Sequence, residues 1–342
     1  MADKDKKSNN FNMPLLAVAP MMDWTDRHCR YFHRLISGRV LLYTEMVTAA
    51  ALVRGGAWHL LDHAEAEHPV ALQLGGSDPA ELAQAARMGA RAGYDEINLN
   101  CGCPSDRVQS GAFGAVLMKD PALVARCLRA MRDAVAIDVT VKCRIGVDDQ
   151  DPAHALPEFL AHIVAAGVER VTIHARKAWL QGLSPKDNRE IPPLDYDLVM
   201  AMKQLFPHLH ISINGGVESL AQARELIDAG LDGVMIGRAA YHRPWDILAG
   251  ADREVFGISG AAPGRAEVVE AMRPYIAAHL AAGGRLHQVS RHMLGLFHGQ
   301  PGARQWRRIL SERGTGADAG LDVLDAALAA VTGAMEAAGA AD

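Results

Sequence analysis

The chain has 342 residues, a formal net charge of −5, 49% apolar and 22% charged residues, a balance ordinary for a globular enzyme of one barrel-sized domain plus a smaller one. No apolar run approaches the roughly 18–20 residues of a membrane span. The polar opening also lacks the apolar segment of a signal peptide, so residues 1–12 read as a disordered tail.

Short β-rich runs alternate with helical ones up to about residue 240. The predicted strands are 15–19, 40–44, 70–74, 96–100, 138–142, 170–174, 210–214 and 233–236. Between them the helix starts are readable. Asp78-Pro79 reads as a cap before a proline at the first helical position, with Glu81 completing a capping box, and Asp120-Pro121 repeats the signal. Gly93, Gly167 and Gly230 read as helix stops. Eight strand–helix units are the count for an α/β (β/α)8 TIM barrel. A doubly wound sheet would place its phosphate glycines after the first strand, where Ala19-Pro20-Met21-Met22-Asp23 stands instead. Beyond Arg243-Pro244-Trp245 the pattern is purely helical, over 264–282, 285–298 and 319–338. The expected organisation is a barrel over 13–245 and a smaller all-helical domain over 246–342.

Five cysteines (29, 101, 103, 127 and 143) are an odd number spread over a long chain. They point to reduced thiols in the cytoplasm rather than a disulfide framework. The acidic average hides a basic segment, in which Arg285, Arg291, Arg304, Arg307, Arg308 and Arg313 face one acid, Glu312, between 285 and 313. Such a local patch selects for a polyanion.

In this barrel type, catalytic groups sit at the C-terminal ends of the strands. Those ends carry Pro20, Met21, Met22 and Asp23, then Glu45, Gln73, Asn98, Asn100 and Cys103. Later ends add Lys142, Arg144, His174, Arg176, Asn214-Gly215-Gly216 and Gly237-Arg238. The last two groups form a phosphate signal, because glycines let backbone N–H groups approach the anion and Arg238 adds a bidentate charge. Lys142 is either a cation beside a flavin's N1–C2 carbonyl edge or half of an ion pair. His174 either binds the phosphate or caps a carbonyl. Cys103 reads as a proton donor, against a small buried hydrophobe in a turn. Half a zinc site with Cys101 lacks a second pair, and no metal is expected. Met21-Met22 is packing under a planar cofactor or core filler. Asp23 and Asp106 do not stand out from solvated loop charges, and His28, His33, His59 and His63 read as structural or surface. The glycines between 102 and 114 fit either a closing lid or a turn-rich loop.

Taken together, these motifs resemble the tRNA-dihydrouridine synthases. The resemblance rests on Ala19–Asp23, Asn98-Leu99-Asn100 with Gly102-Cys103-Pro104-Ser105, Val141-Lys142-Cys143-Arg144, Ile173-His174-Ala175-Arg176, Asn214-Gly215-Gly216 and Ile236-Gly237-Arg238. The stretches 106–111 and 182–194 resemble the A subfamily. The likeness spans roughly 14–313. One position departs from it: Cys101 stands where the family commonly has valine, adding a thiol that labelling would confuse with Cys103.

The resemblance implies an FMN-bound barrel, a helical RNA-binding domain and NADPH-dependent reduction of uridine to 5,6-dihydrouridine, at positions 20 and 20a of the tRNA D-loop for the A subfamily. It puts Pro20, Met21, Met22, Gln73, Lys142, His174, Asn214, Gly215, Gly216, Gly237 and Arg238 against FMN and makes Cys103 catalytic. Hydride is then expected at C6 of uracil and a proton from Cys103 at C5, which needs a protonated thiol. Asn100 holds the uracil edge or the RNA backbone, or simply shapes a turn. Arg304 and Arg307, three apart on a predicted helix, with Lys186 and Arg189 on the loop after the sixth strand, are the expected tRNA contacts, against a solvated face. tRNA is the expected partner, with no membrane and no obligate protein partner. The competing readings are an FMN ene-reductase or dihydroorotate-type dehydrogenase acting on a free small molecule, and an RNA-binding protein without chemistry.

Overall fold

The computed structural model describes residues 15–105 and 113–340. The expected N-terminal tail, Asp106, the stretch 106–111 and most of the glycine-rich lid segment lie outside them. Among the described residues nine parallel strands form the sheet: β1 Leu16–Val18, β2 Leu42–Tyr43, β3 Val47–Thr48, β4 Val70–Gly75, β5 Glu96–Cys101, β6 Asp138–Arg144, β7 Arg170–His174, β8 His210–Asn214 and β9 Gly233–Ile236. Their order is β1-β9-β8-β7-β6-β5-β4-β2, with β3 a short side pairing on β4. The ring closes between β1 and the start of β2: Val18 N–H donates to Leu41 O at 2.9 Å and Leu41 N–H to Leu16 O at 3.1 Å. All eight expected strands are present, and β3 is an addition that sequence reading missed. β2 is shorter than expected because it pairs with β4 only at Leu42 and Tyr43.

Side chains alternate strictly along these strands. Ile97, Leu99, Cys101, Val139, Val141, Cys143, Val171, Ile173, Ile211 and Ile213 face the helices and join the main apolar core. The inner face is divided. Ala17, Ala19, Leu41, Tyr43, Ala71 and Met235 form a separate apolar cluster running from β9 through β1 and β2 to the start of β4. On the β4–β8 side the inward positions are polar and buried: Gln73, Glu96, Asn98, Thr140, Arg170, Thr172, Ser212 and Asn214. Burying that many polar groups is tolerated only when they bond one another.

Side-chain caps start the barrel helices. Asp26, Asp78, Asp120, Asp151, Asp195 and Ser219 each accept a backbone N–H of the first turn, and proline follows at Pro79, Pro121 and Pro152. Each such cap is worth about 1 kcal/mol. The expected capping box at Glu81 is only half formed: Asp78 accepts the Glu81 N–H, while the Glu81 carboxylate pairs with Arg54. The three expected glycine stops stand in left-handed backbone.

The C-terminal part is helical, with Arg265–Ala281, Leu286–Ser290, Ala303–Arg313 and Leu321–Gly339. The helix expected over 285–298 ends at Ser290 and gives way to turns. Within those turns a side chain at Gly295 would meet the His242 carbonyl at 2.3 Å, so the chain presses directly on the barrel there. The expected division after 245 falls inside the helix Pro244–Leu248, which packs on Arg27–Ile36. Asp26 ties the two parts together, meeting Arg291 at 2.6 Å and His292 at 3.0 Å. Burial raises the Asp26 carboxyl, but the His292 and Arg291 bonds overcome it and hold it well below the usual carboxylate range. Tyr31 stacks on Tyr275 at 4.0 Å across the same seam. No described helix is long and apolar enough to cross a membrane.

Candidate active site

Cys103 follows β5 and is held through its own backbone and its neighbour's. Its N–H donates to Asn100 Oδ1 at 2.9 Å, and its carbonyl accepts Ala115 N–H at 2.8 Å. The Gly102 carbonyl accepts Arg144 Nε–H at 2.9 Å. Arg144 also donates to the carbonyls of Lys177 and Asn188, tying the loop after β7 to the cysteine loop. Among the five thiols only Cys103 is not buried; its Sγ lies 3.4 Å from Ser105 Oγ. Cys101 is fully buried, and burial raises its thiol well above the ordinary range. The expected labelling ambiguity between the two is therefore removed by packing.

Asn100 takes the turn-shaping role directly. Its Oδ1 accepts both Gly102 and Cys103 N–H groups, and its Nδ2 donates to Gln73 Oε1 at 2.8 Å. Gln73 in turn donates to Asn98 at 2.8 Å. Lys142 and Arg144, two residues apart on β6, face the same mouth. Lys142 makes no ion pair among the described residues; its Nζ donates to Asn214 Oδ1 at 2.9 Å. Burial, then the Arg144 charge, push its ammonium down to about 8. Arg144 is itself pushed down to about 10 by burial, with Arg189 and Arg176 adding repulsion against the opposing Cys103 contribution.

His174, at the end of β7, is buried, and burial together with Arg144, Lys142, Arg176 and Arg189 holds it neutral, well below its usual range. Its Nδ1 is buried without a partner, as is Nε of Arg176. Next to it, Gly215 and Gly216 turn through φ of 105° and 73°. A side chain at Gly216 would lie 2.4 Å from Leu194, and one at Gly215 3.0 Å from the His174 ring, so only glycine fits this cradle. Across β9 and β1, Gly237 faces Ala19 and Met21, where a Cβ would stand 3.6 and 3.7 Å away in ordinary van der Waals contact. Met21 is partly buried against the main apolar core, whereas Met22 is exposed.

Gln73, Lys142, His174 and Asn214 thus stand on neighbouring parallel strands, with Pro20–Met22, Cys103, Gly215–Gly216 and Gly237 on the segments that follow β1, β5, β8 and β9. The Arg238 guanidinium meets Glu190 at 2.6 Å, so an anion there would share it with a carboxylate. Arg189 and Lys186 are exposed on the loop that Arg144 anchors. Arg304 and Arg307 lie on the outer face of Ala303–Arg313, whose inner face is fixed by Trp306, donating to Met293 O at 3.0 Å, and Leu310. Sequence reading gave no role to Arg144, Thr140, Glu96 or Asn188. For Glu96, Thr140 and Arg144 the signal was present as polar residues at every second position of strands whose alternate positions are apolar, whereas Asn188 lies in the turn Asp187–Arg189.

The chain matches the family model described as dihydrouridine synthase (Dus) over residues 17–332. It is 57% identical to the tRNA-dihydrouridine(20/20a) synthase of Vibrio parahaemolyticus over 317 residues, covering 92% of this chain and 96% of that protein. It is 58% identical to the protein of the same name from Escherichia coli K12 over 313 residues, covering 91% of this chain and 90% of that one. The Shewanella oneidensis protein of that name is 56% identical over 92% of this chain and 93% of its own length. The chain belongs to the dihydrouridine synthase family.

Proposed function

We propose that this chain reduces uridine to 5,6-dihydrouridine in the D-loop of tRNA, at positions 20 and 20a, with bound FMN and with NADPH as reductant. The carrying observation is the placement of one accessible thiol, held through its backbone, beside the cations of Lys142, Arg144 and Arg189 at the C-terminal ends of the strands. The partnerless Nδ1 of buried His174 and the side-chain-free cradle at Gly215 and Gly216 suit a flavin phosphate. Pro20, Met21 and Met22 with Gln73, Asn214 and Gly237 would hold the rest of FMN, and Lys142 would stand beside its N1–C2 carbonyl edge. FMN supplies hydride to C6 of uracil when bound and reduced.

The protein's own work is the other half of the reaction. Hydride at C6 leaves negative charge on C5 and the C4 oxygen, and Cys103 Sγ–H delivers a proton to C5. The resulting thiolate is reprotonated from solvent. Asn100 fixes the cysteine's backbone for that transfer. A loop uridine must leave its stack to reach Cys103, at a cost of a few kcal/mol. Phosphate contacts at Lys186, Arg189, Arg304 and Arg307 offset it, with 246–342 as the tRNA-binding part.

The names of the relatives favour this over a small-molecule reductase or an RNA-binding protein without chemistry. The purified protein is expected to be yellow and to form dihydrouridine in unmodified tRNA with NADPH. A colourless protein that FMN does not reconstitute overturns the reading.

A further inference from the structure

Inside the barrel, a single file of hydrogen bonds runs from the Cys103 loop down to the barrel floor across β5, β4 and β6. Asn100 Oδ1 accepts the N–H groups of Gly102 and Cys103 at 3.0 and 2.9 Å. Asn100 Nδ2 donates to Gln73 Oε1 at 2.8 Å, Gln73 Nε2 to Asn98 Oδ1 at 2.8 Å, and Asn98 Nδ2 to Thr140 Oγ1 at 2.8 Å. The Thr140 hydroxyl then donates its single O–H to the Glu96 carboxylate. Glu96 is anchored by Arg170 Nη2 at 2.6 Å and by the Tyr43 hydroxyl at 2.7 Å.

The direction of every link is dictated by the two ends. Backbone N–H groups only donate, so the Asn100 atom facing them is the oxygen, and its NH2 faces Gln73. Gln73 must answer with its oxygen, which turns its NH2 to Asn98, and the same logic turns the Asn98 NH2 to Thr140. Thr140, already accepting, is left to donate, and the Glu96 carboxylate below it, paired with Arg170, accepts. Reversing any one amide sets donor against donor at one end and acceptor against acceptor at the other. In a buried file that leaves groups unsatisfied, which is costly at each point.

We propose that Thr140 and Asn98 are positioning residues: through this one-way file the Glu96 carboxylate sets the amide orientation of Gln73 and Asn100, and thereby the placement of Cys103. Neither side chain reaches the mouth of the barrel, and both are buried beneath it. The file joins the floor to the two amides that, on the proposed function, lie nearest the flavin and the uracil. The inference rests on the role proposed for Cys103.

The test compares Thr140→Val, which keeps the shape and removes the hydroxyl, with Thr140→Ser, which keeps the hydroxyl. Two readouts are taken on the purified holoprotein: steady-state uridine reduction in tRNA, and the rate of iodoacetamide alkylation of Cys103. The other four cysteines are buried, so that rate reports Cys103. Thr140→Val is expected to lower kcat about tenfold or more with KM for tRNA within about twofold, the mark of a group acting only on the chemical step. It is also expected to loosen the cysteine loop, so that Cys103 alkylates faster. Thr140→Ser is expected to restore both.

Wild-type behaviour in Thr140→Val overturns the proposal. So does equal impairment in Thr140→Ser, which assigns the effect to the lost methyl. Should Thr140→Val fail to fold, Asn98→Asp decides in its place: it keeps the acceptor for Gln73, loses the donor to Thr140, and is expected to show the same kcat loss. If wild-type protein reduces no uridine, the proposed function has failed, while the alkylation contrast between the Val and Ser variants still decides the relay.

Discussion

Oδ1 of Asn100 accepts the backbone N–H of Cys103 at 2.9 Å, so the residue that shapes the end of β5 also aims the thiol. Asn100→Ala leaves the Gly102 and Cys103 N–H groups without that acceptor and Gln73 without its donor. It is expected to cut kcat by about 10–100-fold, less than the roughly 100–10,000-fold that a well-placed proton donor itself contributes, while lowering stability by only about 1–3 kcal/mol. Kinetics alongside urea unfolding separates the two effects. Loss of activity only in proportion to loss of folded protein would make Asn100 purely structural.

Lys142 stands on β6 with an amide oxygen as its sole described partner and its ammonium pushed down to about 8 by burial and by Arg144. A cation there favours the anionic reduced ring of a flavin. Lys142→Met is therefore expected to shift the two-electron midpoint potential negative, by about 30 mV for each 1.4 kcal/mol of stabilisation removed. Spectroelectrochemistry of the purified protein reads this directly, and an unchanged potential removes Lys142 from the flavin edge.

The barrel's acid sensitivity follows from buried neutral imidazoles. Burial, then the His292 and Arg34 charges, lower His33 to about 3, and burial lowers His28 to about 4. Both values lie below the roughly 6.5 of an unfolded histidine. The unfolded chain therefore binds the extra protons first, and stability present above pH 6.5 is lost as pH falls towards these folded values. Between pH 7 and 5, His33 alone accounts for a loss of about 2 kcal/mol. Asp26 has the opposite linkage: its depressed carboxyl contributes stability above the usual carboxylate range and loses it only in stronger acid. The urea midpoint is expected to fall from pH 7 to 5, and His33→Gln to flatten that slope. A midpoint that is flat over this window contradicts the assignment.

Arg304 and Arg307 project from a helix whose other face Trp306 anchors, so their charges can be removed without disturbing packing. Replacing both by Gln is expected to weaken tRNA binding and to lower the slope of log affinity against log salt by about 1 for each phosphate no longer neutralised. An unchanged slope would make this a solvated face.

The barrel was legible because β-branched outward positions and Asp–Pro helix starts are local signals. β3 was not: Val47 and Thr48 are only two residues, with no alternation to read. The helix expected at 285–298 failed because its periodicity is carried by residues packed against the barrel through turns. At the site, strand-end position located Lys142, His174 and Cys103, whereas the Glu190 contact of Arg238 joins residues 48 positions apart and leaves no local trace. The same holds for the file from Glu96 to Asn100, visible in sequence only as polar residues at alternate strand positions.

The most direct measurement maps dihydrouridine, position by position, in tRNA from cells lacking this protein and supplied with either wild type or Cys103→Ala. Wild type is expected to restore the modification at positions 20 and 20a, and Cys103→Ala, though it still binds flavin and tRNA, to restore little of it. Full restoration by Cys103→Ala, or none by wild type, would contradict the account.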